Sequence, residues 1–284
     1  GWYGGKGGRF LDPSPVVNGV SQPACPTDPV SGLIECHWSP SYTLQVPTTW
    51  TSGIFLALLI NQNGYANYVP FVVRDDAREA DFLYQQPVTT YEAYNNYPND
   101  NVTGKSLYPS NSFGANTVTG TKRAAIVSFD RPYRDNGAGQ FLDWESYFVR
   151  WAERQGYDIS YSTDLDTSEH PERLLNSKGF ISAGHDEYWT KAMYDGVVAA
   201  RDAGVNLAFF GGNDIYWQER LGPSSTGTSD RELICYKDAS IDPVSGSTST
   251  VHRRVPTPSL PEHAVPGVQP PNGIPRSARC TTHP

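Results

Sequence analysis

The chain has 284 residues, and its 30 acidic and 22 basic side chains give a formal charge of −8. An acidic chain without a cluster of Lys and Arg argues against a nucleic-acid partner. The longest unbroken apolar run is residues 54–60, far short of the roughly 20 residues that a membrane-spanning helix needs. Tyr and Trp are frequent, at 17 and 7 residues, and such rings with a polar tip are typical of clefts and interfaces.

Composition divides the chain into three zones. Residues 1–50 are rich in Gly and Pro and predict an extended arm, whereas residues 252–284 predict a Pro-rich tail. Between them, residues 51–251 carry the periodic apolar patterns of a folded domain. Cys25 and Cys36 flank a loop containing Pro and Gly, which favours a disulfide. We therefore expect a secreted, extracellular protein that assembles into a homo-oligomer through its terminal arms. A cytoplasmic location is the alternative.

The first part of the middle zone predicts a hairpin and then a short strand. Residues 54–60 and 68–73 are apolar stretches joined by the turn-forming sequence Asn-Gln-Asn-Gly. Residues 124–129 (AAIVSF) follow as a buried-strand candidate.

An aromatic stripe predicts the next helix. The apolar residues Trp144, Tyr147, Phe148, Trp151 and Ala152 recur at helical spacing, with Asp143 at the N-cap position and Gly156 where the helix ends. We expect these aromatic rings to form the buried face of the helix.

Strands and helices alternate through the rest of this zone. Residues 157–161, 180–183 and 205–210 predict strands, separated by helices at 171–176 and around 193–200. Alternation at this spacing is typical of parallel pairing with right-handed crossovers. The predicted fold class is therefore α/β, with a mainly parallel sheet and flanking helices.

Polar runs follow two of these strands. The sequence Gly-His-Asp-Glu at 184–187 follows one strand, and Gly-Gly-Asn at 211–213 follows another. Open α/β sheets bind ligands at the carboxyl ends of their strands. The two-residue spacing of His185 and Glu187 places both side chains on one side, which suits metal ligation or acid–base catalysis. A polar turn that only caps the next helix is the alternative interpretation.

Two common catalytic patterns are not supported. Gly104-Lys105-Ser106 is similar to the end of a phosphate-binding loop, but position 99 is Asn rather than Gly and no strand directly precedes it. The chain also lacks the Gly-x-Ser-x-Gly elbow of serine hydrolases.

Six motifs, taken in order, resemble the catalytic region of the large (beta) subunit family of N,N-dimethylformamidase. They are residues 68–76 (YVPFVVRDD), 91–95 (YEAYN), 104–108 (GKSLY), 127–133 (VSFDRPY), 184–189 (GHDEYW) and 235–238 (CYKD). The resemblance implies an amidotransferase-like α/β domain that hydrolyses the C–N bond of small amides.

The resemblance also implies a mononuclear iron centre. Its ligands would be Tyr68, Tyr108 and Glu187, with Tyr94 as the alternative to Tyr108. His185 and Asn213 would line the pocket and, together with Glu187, act in catalysis. Two phenolates and a carboxylate are hard anionic donors that suit Fe³⁺ better than zinc. Zinc, or no metal, remains the alternative.

Two functions from different classes follow. In the first, the iron acts as a Lewis acid that activates water against a small-molecule amide. In the second, the chain is a non-catalytic extracellular structural subunit that self-assembles and retains the α/β fold.

Overall fold

A computed structural model describes residues 8–11 and 16–253. Short 3₁₀ turns lie at Pro109–Asn111 and Pro171–Asn176, and a π-helical turn lies at Phe141–Glu145. The strands and helices, in chain order, are β1 Gly53–Ile60, β2 Ala66–Val73, β3 Ala80–Gln86, α1 Val88–Tyr94, β4 Ile126–Ser128, α2 Ser146–Gln155, β5 Ile159–Thr163, α3 Asp164–Glu169, β6 Ser177–Gly184, β7 Tyr188–Thr190, α4 Lys191–Asp202, β8 Asn206–Gly211, β9 Trp217–Gly222 and β10 Glu232–Ile234.

The central sheet has four strands in the order β5-β3-β6-β8, and every pair is parallel. The predicted α/β class with a mainly parallel sheet is confirmed. Phe180 and Ile181, consecutive in β6, are buried in two different apolar clusters, because successive side chains of a strand point to opposite faces. Met193 and Val197 of α4 cover the Phe180 side, and each contributes about 1.5–3 kcal/mol by leaving water.

The opposite face is covered by the predicted hairpin, β1 and β2, and by α2. The hairpin pairs in antiparallel register from Gly53 opposite Val73 to Ile60 opposite Ala66. Its inward residues Ile54, Leu56 and Val72 pack against the cluster that contains Ile181.

The stripe predicted for this helix is buried only in part. Trp144 is 60% exposed, Tyr147 74% and Trp151 49%, so the prediction that these three rings are buried is wrong. The other two members of the stripe, Phe148 and Ala152, pack against the sheet together with Val149. Helical spacing shows which residues share a face, but it does not show which face meets the sheet. Gly156 ends the helix in the left-handed conformation, as predicted.

A second sheet has the order β4-β10-β9-β7, and three residues separate its strand β7 from the carboxyl end of β6. The N-terminal segment joins it through backbone bonds, among them Cys36 N–H to the carbonyl of Asp130 at 2.7 Å. The predicted Cys25–Cys36 disulfide is present. Residues 254–284, most of the predicted tail, lie outside the described residues. Within the described part, no helix is long and apolar enough to cross a membrane.

Two elements that the apolar pattern does not predict, β3 and α1, occupy the centre of the molecule. β3 ends in Gln85 and Gln86, both fully buried, and its pairing with β5 and β6 makes it an inner strand. Because β3 ends in polar residues, it is not recognised as an apolar run. α1 follows directly and carries Tyr94 to the carboxyl edge of the sheet, where the candidate site lies.

Candidate active site

Three segments converge on one buried carboxylate, that of Glu187. Tyr94 ends α1, Tyr108 precedes the 3₁₀ turn Pro109–Asn111, and Glu187 lies with His185 in the turn between β6 and β7. Only 3% of Glu187 is exposed. The site therefore forms where the helix after β3 meets the turn after β6, at the edge where α/β sheets bind ligands.

A single oxygen, Oε2 of Glu187, is the centre of this cluster. It accepts hydrogen bonds from the hydroxyls of Tyr94 at 2.7 Å and Tyr108 at 2.8 Å. The Nε2 atom of His185 lies 3.1 Å from the same oxygen and 3.2 Å from the Tyr94 hydroxyl. Three side chains from distant parts of the chain thus share one acceptor.

The glycine before His185 allows the chain to turn here. Gly184 has φ of +98°, and a Cβ on it would lie 2.8 Å from Cγ of Glu145, so only glycine fits. The next but one residue, Asp186, points inward and accepts bonds from Gln85 Nε2 at 2.8 Å and Trp189 Nε1 at 2.7 Å. This buried anchor leaves the side chains on either side of it, His185 and Glu187, facing the site together.

The imidazole of His185 is held from behind. Its Nδ1 lies 2.8 Å from the carbonyl of Gly212, and because a carbonyl only accepts, Nδ1 carries the proton. Nε2 faces the Glu187 carboxylate oxygen, which also only accepts, so this contact is made by the ring with protons on both nitrogens.

The two tyrosine rings are stacked and supported. The ring centroids of Tyr94 and Tyr108 are 4.3 Å apart at 23°. The Tyr188 hydroxyl donates to that of Tyr108 at 2.8 Å. Lys237 Nζ lies 3.7 Å from the centre of the Tyr108 ring and donates to the Leu107 carbonyl at 3.0 Å. Burial lowers the pKa of Lys237 to about 8, so the ammonium that lies against the ring loses its proton more easily than an exposed lysine does.

Burial raises the pKa of the Tyr94 and Tyr108 phenols, and the negative charge of Glu187 raises both further. Burial opposes the charge of Glu187 as well, but the bonds from His185 and the two phenols outweigh it and lower its pKa. For His185, burial lowers the pKa and the adjacent Glu187 more than offsets this, so that the pKa is raised. The metal-free cluster is therefore two neutral phenols that donate to one carboxylate.

This donor set suits a hard trivalent cation. Phenolate and carboxylate oxygens are hard anionic ligands that favour Fe³⁺ over zinc. A nearby trivalent charge would reverse the electrostatics that keep the phenols protonated. In the described ranges, no three His, Cys, Asp or Glu side chains are grouped as metal ligands, so a metal centre at Glu187 requires the tyrosine oxygens.

The structure does not bring every predicted site residue to Glu187. Tyr68 is half-buried in β2, opposite Leu58 of β1. Among the described residues, its hydroxyl makes no hydrogen bond to Glu187 and its ring no contact with Tyr94 or Tyr108. Tyr94, the residue considered as an alternative, lies in the cluster beside Tyr108.

Asn213 lies at the edge of the cluster. It is exposed and has φ of +59°, in the turn that directly follows Gly212. Its amide makes no hydrogen bond to the cluster within the described part of the chain.

Lys105 of the GKSLY motif has a structural position. Its ammonium donates to the carbonyls of Phe113, Ala115 and Lys122, each at 2.8 Å. All three donors of the group are thereby used. The motif braces the loop that carries Tyr108 and has no free cation to offer a phosphate.

Sequence reasoning overlooks Lys237 and ranks Tyr94 second. Tyr94 could have been found from its position in the motif YEAYN, but only if the helix α1 is recognised. The signal for Lys237 is the CYKD motif after β10, but nothing in the sequence indicates that it lies over the Tyr108 ring.

Comparison with protein families gives one match. The model described as "N,N-dimethylformamidase beta subunit-like, C-terminal" matches residues 1–281. A search of curated proteins finds no match. The matched range includes the terminal segments as well as all six motifs of the sequence.

Proposed function

We propose that this chain, which belongs to the N,N-dimethylformamidase beta subunit-like family, hydrolyses small amides with Tyr94, Tyr108 and Glu187 as iron ligands. One observation carries the proposal: two phenol hydroxyls lie within 2.8 Å of the same buried carboxylate oxygen. Buried Glu145 also accepts from two tyrosines, Tyr84 and Tyr91, and the imidazole of His185 on the shared oxygen distinguishes the Glu187 cluster from it. The family name supports the reaction class, and the donor set supports the metal.

The reaction adds water to the amide carbonyl and releases a carboxylic acid and an amine. A trivalent iron held by Tyr94, Tyr108 and Glu187 would supply Lewis acidity toward the amide carbonyl and the attacking water.

His185 would transfer the proton in this reaction. With Nδ1 fixed on the Gly212 carbonyl and Nε2 facing the cluster, the neutral form of the ring can take a proton from water at Nε2 and return it to the leaving amine nitrogen. The exposed amide of Asn213, next to Gly212, is our candidate for binding the substrate.

Assembly and location are proposed with this function. The Cys25–Cys36 disulfide is compatible with an oxidising, extracellular compartment. The exposed rings of Trp144, Tyr147 and Trp151 supply an apolar surface suited to contact with another chain. The same surface is the observation that favours the second function, a structural subunit without catalysis.

The test is amine release from purified protein. We expect the protein loaded with Fe³⁺ to hydrolyse at least one of formamide, N-methylformamide and N,N-dimethylformamide, with the formate and the released ammonia or amine measured by NMR. The Glu187→Gln variant should lose the activity, and the Glu172→Gln variant, which alters an exposed carboxylate, should keep it. Iron-loaded protein that hydrolyses none of the three amides would contradict the proposal and favour the structural subunit.

A further inference from the structure

A buried arginine connects the two segments that carry the tyrosines. The Nε of Arg131 donates to Glu92 Oε1 at 2.6 Å and its Nη1 to the Lys105 carbonyl at 3.0 Å. Its Nη2 donates to the Asn95 carbonyl at 2.8 Å. The side chain has no exposed surface, so each of these bonds is made away from water, where it is strongest.

The positions of these acceptors are informative. Asn95 directly follows Tyr94, and Lys105 lies three residues before Tyr108. Arg131 itself belongs to a third segment, after β4. One guanidinium therefore fixes the backbone of both tyrosine segments relative to each other.

Fewer bonds connect these two segments directly. The Leu107 N–H donates to the Ala93 carbonyl at 3.0 Å, and the Asn111 amide donates to the Tyr94 carbonyl at 3.1 Å. Without Arg131, the carbonyls of Asn95 and Lys105 and the carboxylate of Glu92 would be buried without this donor, which costs about 1–3 kcal/mol for each group.

We propose that Arg131 is a positioning residue for the metal centre: it sets the separation of the Tyr94 and Tyr108 hydroxyls around Glu187. This inference rests on the proposed function. A guanidinium is required because its planar fork reaches three acceptors in fixed directions, whereas a lysine ammonium is a single point with no fork. Lysine at position 131 also has three donors, but they share one nitrogen, whereas Glu92 and the two carbonyls are held by three different nitrogens of Arg131.

The test compares Arg131→Lys with a matched control, Arg220→Lys. Arg220 also binds a buried carboxylate, Asp242 at 2.8 Å, and a carbonyl, that of Thr248 at 2.9 Å, but it contacts neither tyrosine segment. Three quantities are measured: the affinity for Fe³⁺ in competition with a chelator, the wavelength of the tyrosinate-to-iron absorption, and the melting temperature of the metal-free protein.

We expect both variants to melt at lower temperature, and only Arg131→Lys to change the metal centre. Partners behind metal ligands typically contribute about 10–100-fold to metal affinity, so R131K should bind iron at least about 10-fold more weakly, with a shifted absorption maximum. A folded R131K protein with wild-type affinity and spectrum would overturn the proposal.

Two further measurements cover the remaining outcomes. If R131K does not fold, Glu92→Gln loosens the guanidinium while keeping an acceptor, and it should shift affinity and absorption in the same direction by a smaller amount; an unchanged centre would refute the role. If the wild-type protein binds no iron, the proposed function fails by itself. Crystal structures of metal-free wild type and R131K then decide: displaced tyrosine hydroxyls support the positioning role, and unmoved ones overturn it.

Discussion

Replacing Tyr94 by Phe removes a single oxygen from the cluster. The hydroxyl donates to Glu187 at 2.7 Å, and a hydrogen bond to a charged group is worth about 1.5–3 kcal/mol. We expect the metal-free Y94F protein to lose about 2 kcal/mol of unfolding free energy. Loss of a partner behind a ligand weakens metal binding by about 10–100-fold, so loss of a direct ligand should weaken Fe³⁺ binding by more than about 100-fold.

The matched control is Tyr68→Phe. The Tyr68 hydroxyl makes no hydrogen bond to Glu187 in the described part of the chain, so its removal should change stability by less than about 0.5 kcal/mol and leave iron binding unchanged. Iron affinity is measured by chelator competition and stability by urea denaturation. A Y94F protein that binds iron like wild type, together with a Y68F protein that does not, would refute the ligand assignment and restore the one implied by the sequence motifs.

Three other substitutions test the framework around the site. Lys105→Met leaves three carbonyls without their donor and should cost about 3 kcal/mol in urea denaturation; a cost below about 1 kcal/mol would contradict the bracing role. Burial raises the pKa of Glu145 to about 8, so its contribution to stability is complete at acidic pH and is lost as pH rises toward 8. The unfolding free energy of Glu145→Gln relative to wild type should therefore increase by at least about 1.4 kcal/mol between pH 5 and 8, the equivalent of one pKa unit. A difference that stays constant with pH would disprove this. Burial opposes the charge of Asp242, but its bonds to Arg220 and Thr250 lower its pKa to about 2. Asp242→Asn should therefore lower the unfolding free energy by about 3 kcal/mol at pH 7 and by progressively less as pH falls below 4. Thermal melts across this pH range measure the change.

The parts of the fold that the sequence predicts are those whose residues are apolar in themselves. The hairpin β1–β2 and the strands β6 and β8 are each built around a mainly apolar stretch, and the structure has them close to the predicted positions. β3 escapes prediction because Gln85 and Gln86 are buried only through tertiary hydrogen bonds, such as Gln85 to Asp186. No local pattern carries that information.

The candidate site shows the same division. The pairing of His185 with Glu187 follows from local geometry, because a two-residue spacing places both on one side of a turn. The choice between Tyr68 and Tyr94 depends on a contact between residues more than 80 positions apart in the sequence, Tyr94 and Glu187. It also depends on α1, a helix that the apolar pattern does not predict. With 17 tyrosines in the chain, only the packed structure separates the two that reach the carboxylate.

The iron centre itself is tested most directly by the visible absorption of the purified wild-type protein after incubation with Fe³⁺ and removal of the excess. We predict a coloured protein that retains iron in proportion to its own concentration, with a tyrosinate-to-iron absorption band that weakens in Tyr108→Phe, where Tyr94 is left as the one tyrosine ligand. A colourless protein that retains no iron would contradict the assignment of Tyr94, Tyr108 and Glu187 as ligands.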